Sequence, residues 1–338
     1  MAKVWMAAVL AGGLAVATPV TAQSFSKLYV FGDSLVDSGN AQAGRLASGG
    51  ADPAPAAQGY YQGRFSNGYN FADDLSFSIA GGPATASAYG GINYSVGGAQ
   101  AVEVAGDASP SFIEQLASFA TSGATIDPSS LVLVTLGGND VRSELAKVGA
   151  NPSYTPSLTP TLNAFAAGLT SLVNSGARNI IVTGLPDIGQ IPAVTQIGSV
   201  PLSQLGTQLS FGLNQQLSQL VGGLATQTGY NLQFFDLFAQ QQKIYADPAA
   251  YGLPTTLNTQ TACIQAAGAV AAGCDGYVYF DTIHPTAQLH AAIADGLISQ
   301  LGIGAVPEPA TWLTMVLGLG MVGASLRFRR APARRLAA

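Results

Sequence analysis

Ser34, in Tyr29-Val30-Phe31-Gly32-Asp33-Ser34-Leu35, and His284, in Asp281-Thr282-Ile283-His284-Pro285-Thr286, lie at opposite ends of the chain and could share one piece of chemistry. A serine hydroxyl becomes a nucleophile when an imidazole takes its proton, and the imidazole does this best when a carboxylate orients it. The chain has only two histidines, His284 and His290, so histidine-dependent chemistry must use this one segment. His284 is the better candidate, because Asp281 precedes it by three residues. At the mouth of a helix, an aspartate at that spacing can curl back and accept the Nδ1 proton, leaving Nε2 for the serine. Gly32 permits the tight strand-to-helix turn that exposes a hydroxyl. Gly-Asp-Ser alone is also ordinary turn chemistry, so the weight rests on the combination. No Gly-x-Ser-x-Gly occurs, so the α/β-hydrolase elbow is not the template.

Acyl transfer also needs donors aimed at the developing oxyanion, each worth about 2.7–4 kcal/mol in the transition state. The Gly97 N–H, the Asn139 side-chain amide and the Ser34 N–H are candidates. The alternatives are a strand-end turn for Gly97 and a helix N-cap for Asn139 or Asp140.

A framework must bring these residues together. Leu28–Phe31, Ile92–Val96, Leu131–Leu136, Asn179–Thr183 and Leu232–Phe235 are short strand-like runs, and those that are apolar without alternation, such as Leu131–Leu136, show the pattern of strands buried on both faces of a parallel sheet. Helical patterns separate them: Phe112–Phe119, a stripe of Leu162, Phe165, Leu169 and Leu172, the long Leu202–Leu224, and Pro285–Leu301 with Pro285 suited to the first turn. Ala41–Tyr60 is Ala/Gly/Pro-rich and reads as a loop beside the site. Alternating strands and helices give a sheet with helices on both faces, and such sheets bind ligands beyond the carboxyl ends of their strands. Ser34, Gly97 and Asn139 all fall just after strand ends.

The order Gly32-Asp33-Ser34-Leu35, Gly97, Gly137-x-Asn139-Asp140 and Asp281-x-x-His284 resembles the GDSL (SGNH) hydrolases. Phe31 to Asn40, Gly63-Arg64-Phe65-Ser66-Asn67-Gly68, Asn93 to Ala99 and Leu185-Pro186-Asp187 are similar to its lipase-like branch, over about residues 27–300. The resemblance implies a flavodoxin-like three-layer α/β/α sandwich with a mostly parallel five-stranded sheet, and ester hydrolysis through an acyl-enzyme. It makes Ser34 the nucleophile, His284 the base and Asp281 its orienter. Ser34 N–H, Gly97 N–H and Asn139 form the oxyanion hole, with Gly98 the alternative to Gly97. Asp33 reads as a turn residue, Asp140 and Asp187 as structural acids, and His290 as a surface or packing residue. No metal or organic cofactor is implied.

The two ends carry targeting signals. Residues 1–22 read as a signal peptide: Lys3, the apolar Met6–Ala17, then Val20-Thr21-Ala22 before a cleavage point. Residues 305–338 hold Pro307-Glu308-Pro309, an apolar run over 310–326, and five arginines after it. Such a run rises about 26 Å, enough for a marginal transmembrane span, and the arginines place its far end in the cytoplasm. This tail resembles the PEP-CTERM sorting signal of Gram-negative bacteria, which implies an exosortase-like processing enzyme and export to the cell surface or beyond. The alternative is a plain membrane anchor. Residues 23–304 remain, enough for one α/β domain.

The whole chain has 13 Lys+Arg and 18 Asp+Glu. Without Lys3, the five tail arginines and Glu308, 7 and 17 are left, a net charge of −10. An acidic domain is a poor partner for nucleic acid. Cys263 and Cys274 are the only cysteines, and in an oxidising compartment they should pair. The expected activity is a secreted esterase or lipase. Its ester substrate is a lipid, a small acyl ester or an acetylated polysaccharide. Alternatives are an acetylesterase acting on exopolysaccharide and a non-catalytic surface or matrix protein that keeps the fold.

Overall fold

The computed structural model describes residues 23–304, and Ser24–Ile303 form one compact unit. The expected signal peptide, Pro-Glu-Pro motif and span at 310–326 lie outside the described residues. Among the described residues no helix is long and apolar enough to cross a membrane.

In chain order the elements are β1 (Leu28–Gly32), α1 (Asn40–Ala47), α2 (Phe71–Ala80), α3 (Phe112–Thr121), β2 (Leu131–Thr135), α4 (Gly138–Ala150), α5 (Thr159–Asn174) and β3 (Asn179–Thr183). Then come α6 (Pro192–Thr195), α7 (Val200–Thr228), β4 (Asn231–Phe235), α8 (Leu237–Ala246) and α9 (Ala287–Leu301). The four strands form one parallel sheet in the order β1-β2-β3-β4. Every residue of β1 and β2 is buried, which is why their sequences run apolar without alternation. Helices α3, α5 and α7 pack in succession, and so do α2, α9 and α8, the two outer layers of a three-layer sandwich. Phe165, Leu169 and Leu172 of the α5 stripe are fully buried, while Leu162 is partly so.

The fifth apolar run behaves differently. Ile92–Val96 lies parallel to β1, joined by Val30 N–H to Ile92 O (3.2 Å), Tyr94 N–H to Val30 O (2.7 Å) and Val96 N–H to Gly32 O (3.0 Å). Yet only Asn93 forms a bridge, and the run is not a regular strand. The Asn93 side chain accepts the Ser95 N–H (3.0 Å) and donates to Val36 O (2.8 Å), local bonds that compete with a ladder. Among the described residues the sheet thus has four regular strands and this irregular edge, which is compatible with the expected five.

Two helix readings are corrected. The expected loop Ala41–Tyr60 contains α1, because the Asp37 carboxylate accepts the Gly39, Asn40 and Ala41 N–H groups at its start. Pro285 lies outside α9. Thr286 caps that helix, while Pro285 bridges to Tyr279.

Register aligns Gly32, Thr135, Thr183 and Phe235, so the segments after β1, β2 and β3 leave the sheet at one edge. From β1 the chain runs first to Ile92–Val96 on one side and later to β2 on the other. The strand order reverses there, and the crevice it opens lies at the carboxyl end of β1. Gly32 makes the exit possible, since a Cβ there would sit 2.4 Å from Val36 and 2.6 Å from Thr135 O.

Cys263 and Cys274 are joined in a disulfide, as expected. They pack with buried Phe280 and partly buried Tyr60, just before Asp281. Cys263 N–H and Ile264 N–H also bond Tyr279 O (2.8 Å) and Phe280 O (3.0 Å). Replacing both cysteines with serine should lower unfolding stability by roughly 3 kcal/mol through a longer-ranging unfolded loop. Urea denaturation checks this, and an unchanged midpoint would show that the crosslink adds nothing.

Candidate active site

Ser34 sits one residue beyond Asp33 in the tight turn after β1. The Asp33 carboxylate accepts the Leu35 N–H (3.0 Å), and Val36 N–H bonds Asp33 O (3.2 Å), closing the turn. Burial pushes the Asp33 carboxyl up to about 7. Behind the turn, the buried Gln115 side chain grips Gly32 from both sides, accepting its N–H (2.9 Å) and donating to its carbonyl (2.8 Å).

Between β4 and α9 the chain presents Asp281 and His284. Asp281 Oδ1 accepts the N–H groups of Ile283 and His284, both at 2.8 Å, so the carboxylate folds its own loop. His284 Nδ1 lies 2.7 Å from Asp281 Oδ2, and His284 Nε2 lies 2.7 Å from Ser34 Oγ. This chain of contacts corresponds to the tautomer with the proton on Nδ1, which leaves Nε2 able to accept from the serine. Burial pushes the Asp281 carboxyl up, but the imidazole and the two N–H groups outweigh it and hold it at about 2. The carboxylate thus stays ionised across the working pH range. The three residues expected to act together are brought together.

Two side chains support this trio to which the sequence gave no role at the site. Tyr60 donates its hydroxyl to Asp281 Oδ2 at 2.8 Å, and burial beside that carboxylate pushes the phenol well up. Phe65 tilts over the His284 ring, centroids 5.1 Å apart. No periodicity marks Tyr60 or Phe65, which lie in an irregular segment.

The expected oxyanion donors divide. Gly97 does not offer its N–H: that group donates to the buried Asp37 carboxylate at 2.7 Å. The choice of Gly97 over Gly98 is therefore corrected. Gly98 has φ +89°, a conformation that favours glycine, and its N–H has no partner among the described residues. The Ser34 N–H likewise has none. Asn139, in the first turn of α4, spends one Nδ2 proton on Ala99 O (3.0 Å) and keeps the other.

The remaining polar candidates are structural. Asp140 accepts the Ala101 N–H (3.0 Å) and the Thr161 hydroxyl (2.9 Å). Asp187 accepts the Gly189 N–H (3.0 Å) and the Thr207 hydroxyl (2.7 Å). His290 is a packing residue and not a surface one: it is buried against Phe71, its Nδ1 accepts the Phe71 N–H (3.4 Å), and burial holds its pKa down at about 3. Beside Asn139 an apolar cavity runs inward between the strand ends and α8 and α9. Leu35, Leu185, Ile188, Leu237, Ile244 and Ile283 form much of its wall.

The GDSL-like Lipase/Acylhydrolase family pattern matches residues 28–297, and the PEP-CTERM protein-sorting motif matches residues 305–330. A phosphatidylcholine-sterol acyltransferase of Aeromonas hydrophila is 25% identical over 350 aligned residues, covering 87% of this chain and 95% of that protein. A GDSL esterase/lipase of Arabidopsis thaliana is 27% identical over 321, covering 83% and 89%. Among solved structures, an acetylxylan esterase from Geobacillus stearothermophilus superposes with a TM-score of 0.44 at 16% identity, covering 83% of this chain and 96% of that one.

Proposed function

The chain belongs to the GDSL-like lipase/acylhydrolase family, whose members hydrolyse esters, and from that membership we propose that it is an exported serine esterase working through an acyl-enzyme on Ser34. The observation that carries this reading is the continuous line from Asp281 through His284 to Ser34, with 2.7 Å at each step. Ser34 Oγ attacks the ester carbonyl while His284 Nε2 takes its proton. The Ser34 and Gly98 N–H groups and the Asn139 amide receive the oxyanion. His284 then gives the proton to the leaving alkoxide. A water, deprotonated in turn by His284, attacks the acyl-enzyme, and as the acid leaves His284 returns that proton to Ser34 Oγ. Asp281, ionised throughout, holds the ring and stabilises the imidazolium.

The apolar cavity beside Asn139 is small, about 50 Å³, and supports a short acyl group only a little longer than acetyl. The sorting motif favours a second substrate, an acetylated polysaccharide met at the cell surface. One experiment tests both. The purified protein should react with a fluorophosphonate at Ser34, located by peptide mass spectrometry. Its kcat/KM for p-nitrophenyl esters should rise from acetate to butyrate and fall for longer chains. Absent labelling would overturn the serine mechanism, whereas labelling with a preference for acetate would favour the polysaccharide.

The tail is assigned to sorting and not to the hydrolase. The α9 helix ends at Leu301, before the motif begins at residue 305. A protein of residues 23–304 should be soluble and fully active, and in a host with an exosortase the full chain should lose residues from about 307 onward. If the shortened protein were inactive while the full chain was active, the tail would belong to the fold.

A further inference from the structure

Among the described residues Arg142 differs from Arg64, which has a carboxylate, and from Arg178, which donates to the Val173 and Ala177 carbonyls and lies over the Tyr230 ring. Arg64 is buried too, but it holds Asp73 through Nε (2.6 Å) and Nη2 (2.8 Å). Arg142 is half-buried on the wall of the apolar cavity, and it makes no ion pair among the described residues. Withdrawing a guanidinium from water without a paired carboxylate is costly. Burial lowers its pKa from the ordinary value, while the more distant Asp281 and Asp33 carboxylates pull the other way. Packing alone would be served better by an apolar side chain of the same length, so the charge needs another reason.

Its one recorded hydrogen bond supplies that reason. Arg142 lies three residues after Asn139 on α4, hence on the same helix face. Its Nη1 donates to Asn139 Oδ1 at 3.1 Å. An asparagine amide is nearly symmetric in shape, and only its partners decide which end is oxygen. Arginine has donors and no acceptor, so it can only face Oδ1. At the other end the Ala99 carbonyl can only face Nδ2. The two contacts together fix the amide, with its second Nδ2 proton uncommitted. A cation on the carbonyl side also polarises the amide and strengthens its N–H as a donor.

We propose that Arg142 is a positioning residue of the oxyanion site, which locks the Asn139 amide with Nδ2 toward the reacting carbonyl oxygen and strengthens it as a donor. This rests on the reading of Ser34 as nucleophile and Asn139 as oxyanion donor. Arg142 acts through Asn139 and need not touch the substrate.

A double-mutant cycle tests it. Arg142→Met should lower kcat for an aryl ester by about 10–100-fold with little change in KM, as expected for part of an oxyanion contact. Affinity for a trifluoromethyl ketone, which forms the tetrahedral adduct, should fall in parallel. In an Asn139→Ala background the same change should cost less than about threefold, because the residue it positions is gone. Arg142→Lys should recover part of the loss. Full kcat in Arg142→Met, or an equal loss in both backgrounds, would overturn the proposal and leave Arg142 a packing residue. If Arg142→Met does not fold, Arg142→Gln, which keeps a donor without the charge, is measured against Arg142→Lys. Equal kcat in those two would refute the part assigned to the charge, and wild-type kcat in both would overturn the whole. Failure of the underlying reading would look different: Asn139→Ala alone would keep normal kcat.

Discussion

Replacing Ser34 with alanine should lower kcat for a soluble aryl ester by roughly 10⁴–10⁶-fold, and His284→Ala should do almost the same. Ser34 Oγ and His284 Nε2 are already within 2.7 Å, so neither group needs to be recruited by substrate. The double variant should be no worse than either single one, because the two side chains perform one proton transfer. Both variants should fold. Ser34 Oγ makes its one recorded hydrogen bond to His284, and the imidazole stands in a loop shaped by backbone bonds to Asp281 Oδ1. Steady-state kinetics with thermal melting checks each part. A Ser34→Ala protein retaining a tenth of normal turnover would remove the nucleophile assignment. A melting point many degrees lower would mean that these residues hold the fold instead.

The proposed triad was legible because the sequence left so little choice. With two histidines in the chain, only His284 has an aspartate three residues before it. The regular strands were legible because burial on both faces enforces an unbroken apolar run, as in Leu131–Thr135. Ile92–Val96 alternates apolar and polar residues and also reads as a strand, but it is not a regular one, since Asn93 spends its side chain on Ser95 and Val36. The choice between Gly97 and Gly98 as oxyanion donor was illegible for a similar reason. Gly97 and Gly98 are adjacent and chemically identical, and only the folded chain brings Asp37 to one of their N–H groups. Tyr60 reaches Asp281 across 221 residues of sequence, so no local pattern could announce it. Arg142 could have been noticed from its spacing to Asn139, but its lack of an ion pair is a property of the packed structure.

Asp37→Ala should be the most destabilising substitution near the site. The Asp37 side chain is fully buried, and it accepts four backbone N–H groups: Gly39 (2.8 Å), Asn40 (2.7 Å), Ala41 (3.0 Å) and Gly97 (2.7 Å). Each buried donor left without a partner costs about 1–3 kcal/mol. Four such losses, even partly relieved by entering water, should remove at least about 3–5 kcal/mol of a domain stability of roughly 5–15 kcal/mol. Asp37→Asn should do little better, despite its shape. Its amide NH2 would face backbone N–H groups, donor against donor. The effect on catalysis follows from geometry. Asp37 ties the start of α1 to Gly97, and Gly98 is the next residue. Releasing that tie frees the backbone that presents the Gly98 N–H, so kcat per folded molecule should also fall, while KM changes less. The pH dependence gives an independent reading. Burial outweighs the four N–H donors and pushes the Asp37 carboxyl up to about 6, above the ordinary value of about 3.9. Between these pH values the folded state binds more protons than the unfolded one. Ionisation of Asp37 therefore costs stability as pH rises through that window. Urea unfolding at pH 4, 5, 6 and 7 should show this contribution in the wild type and its loss in Asp37→Asn. An Asn variant with wild-type stability and kcat would mean that the four contacts contribute nothing net. The oxyanion glycine would then be held by the Ile92–Val96 pairing alone.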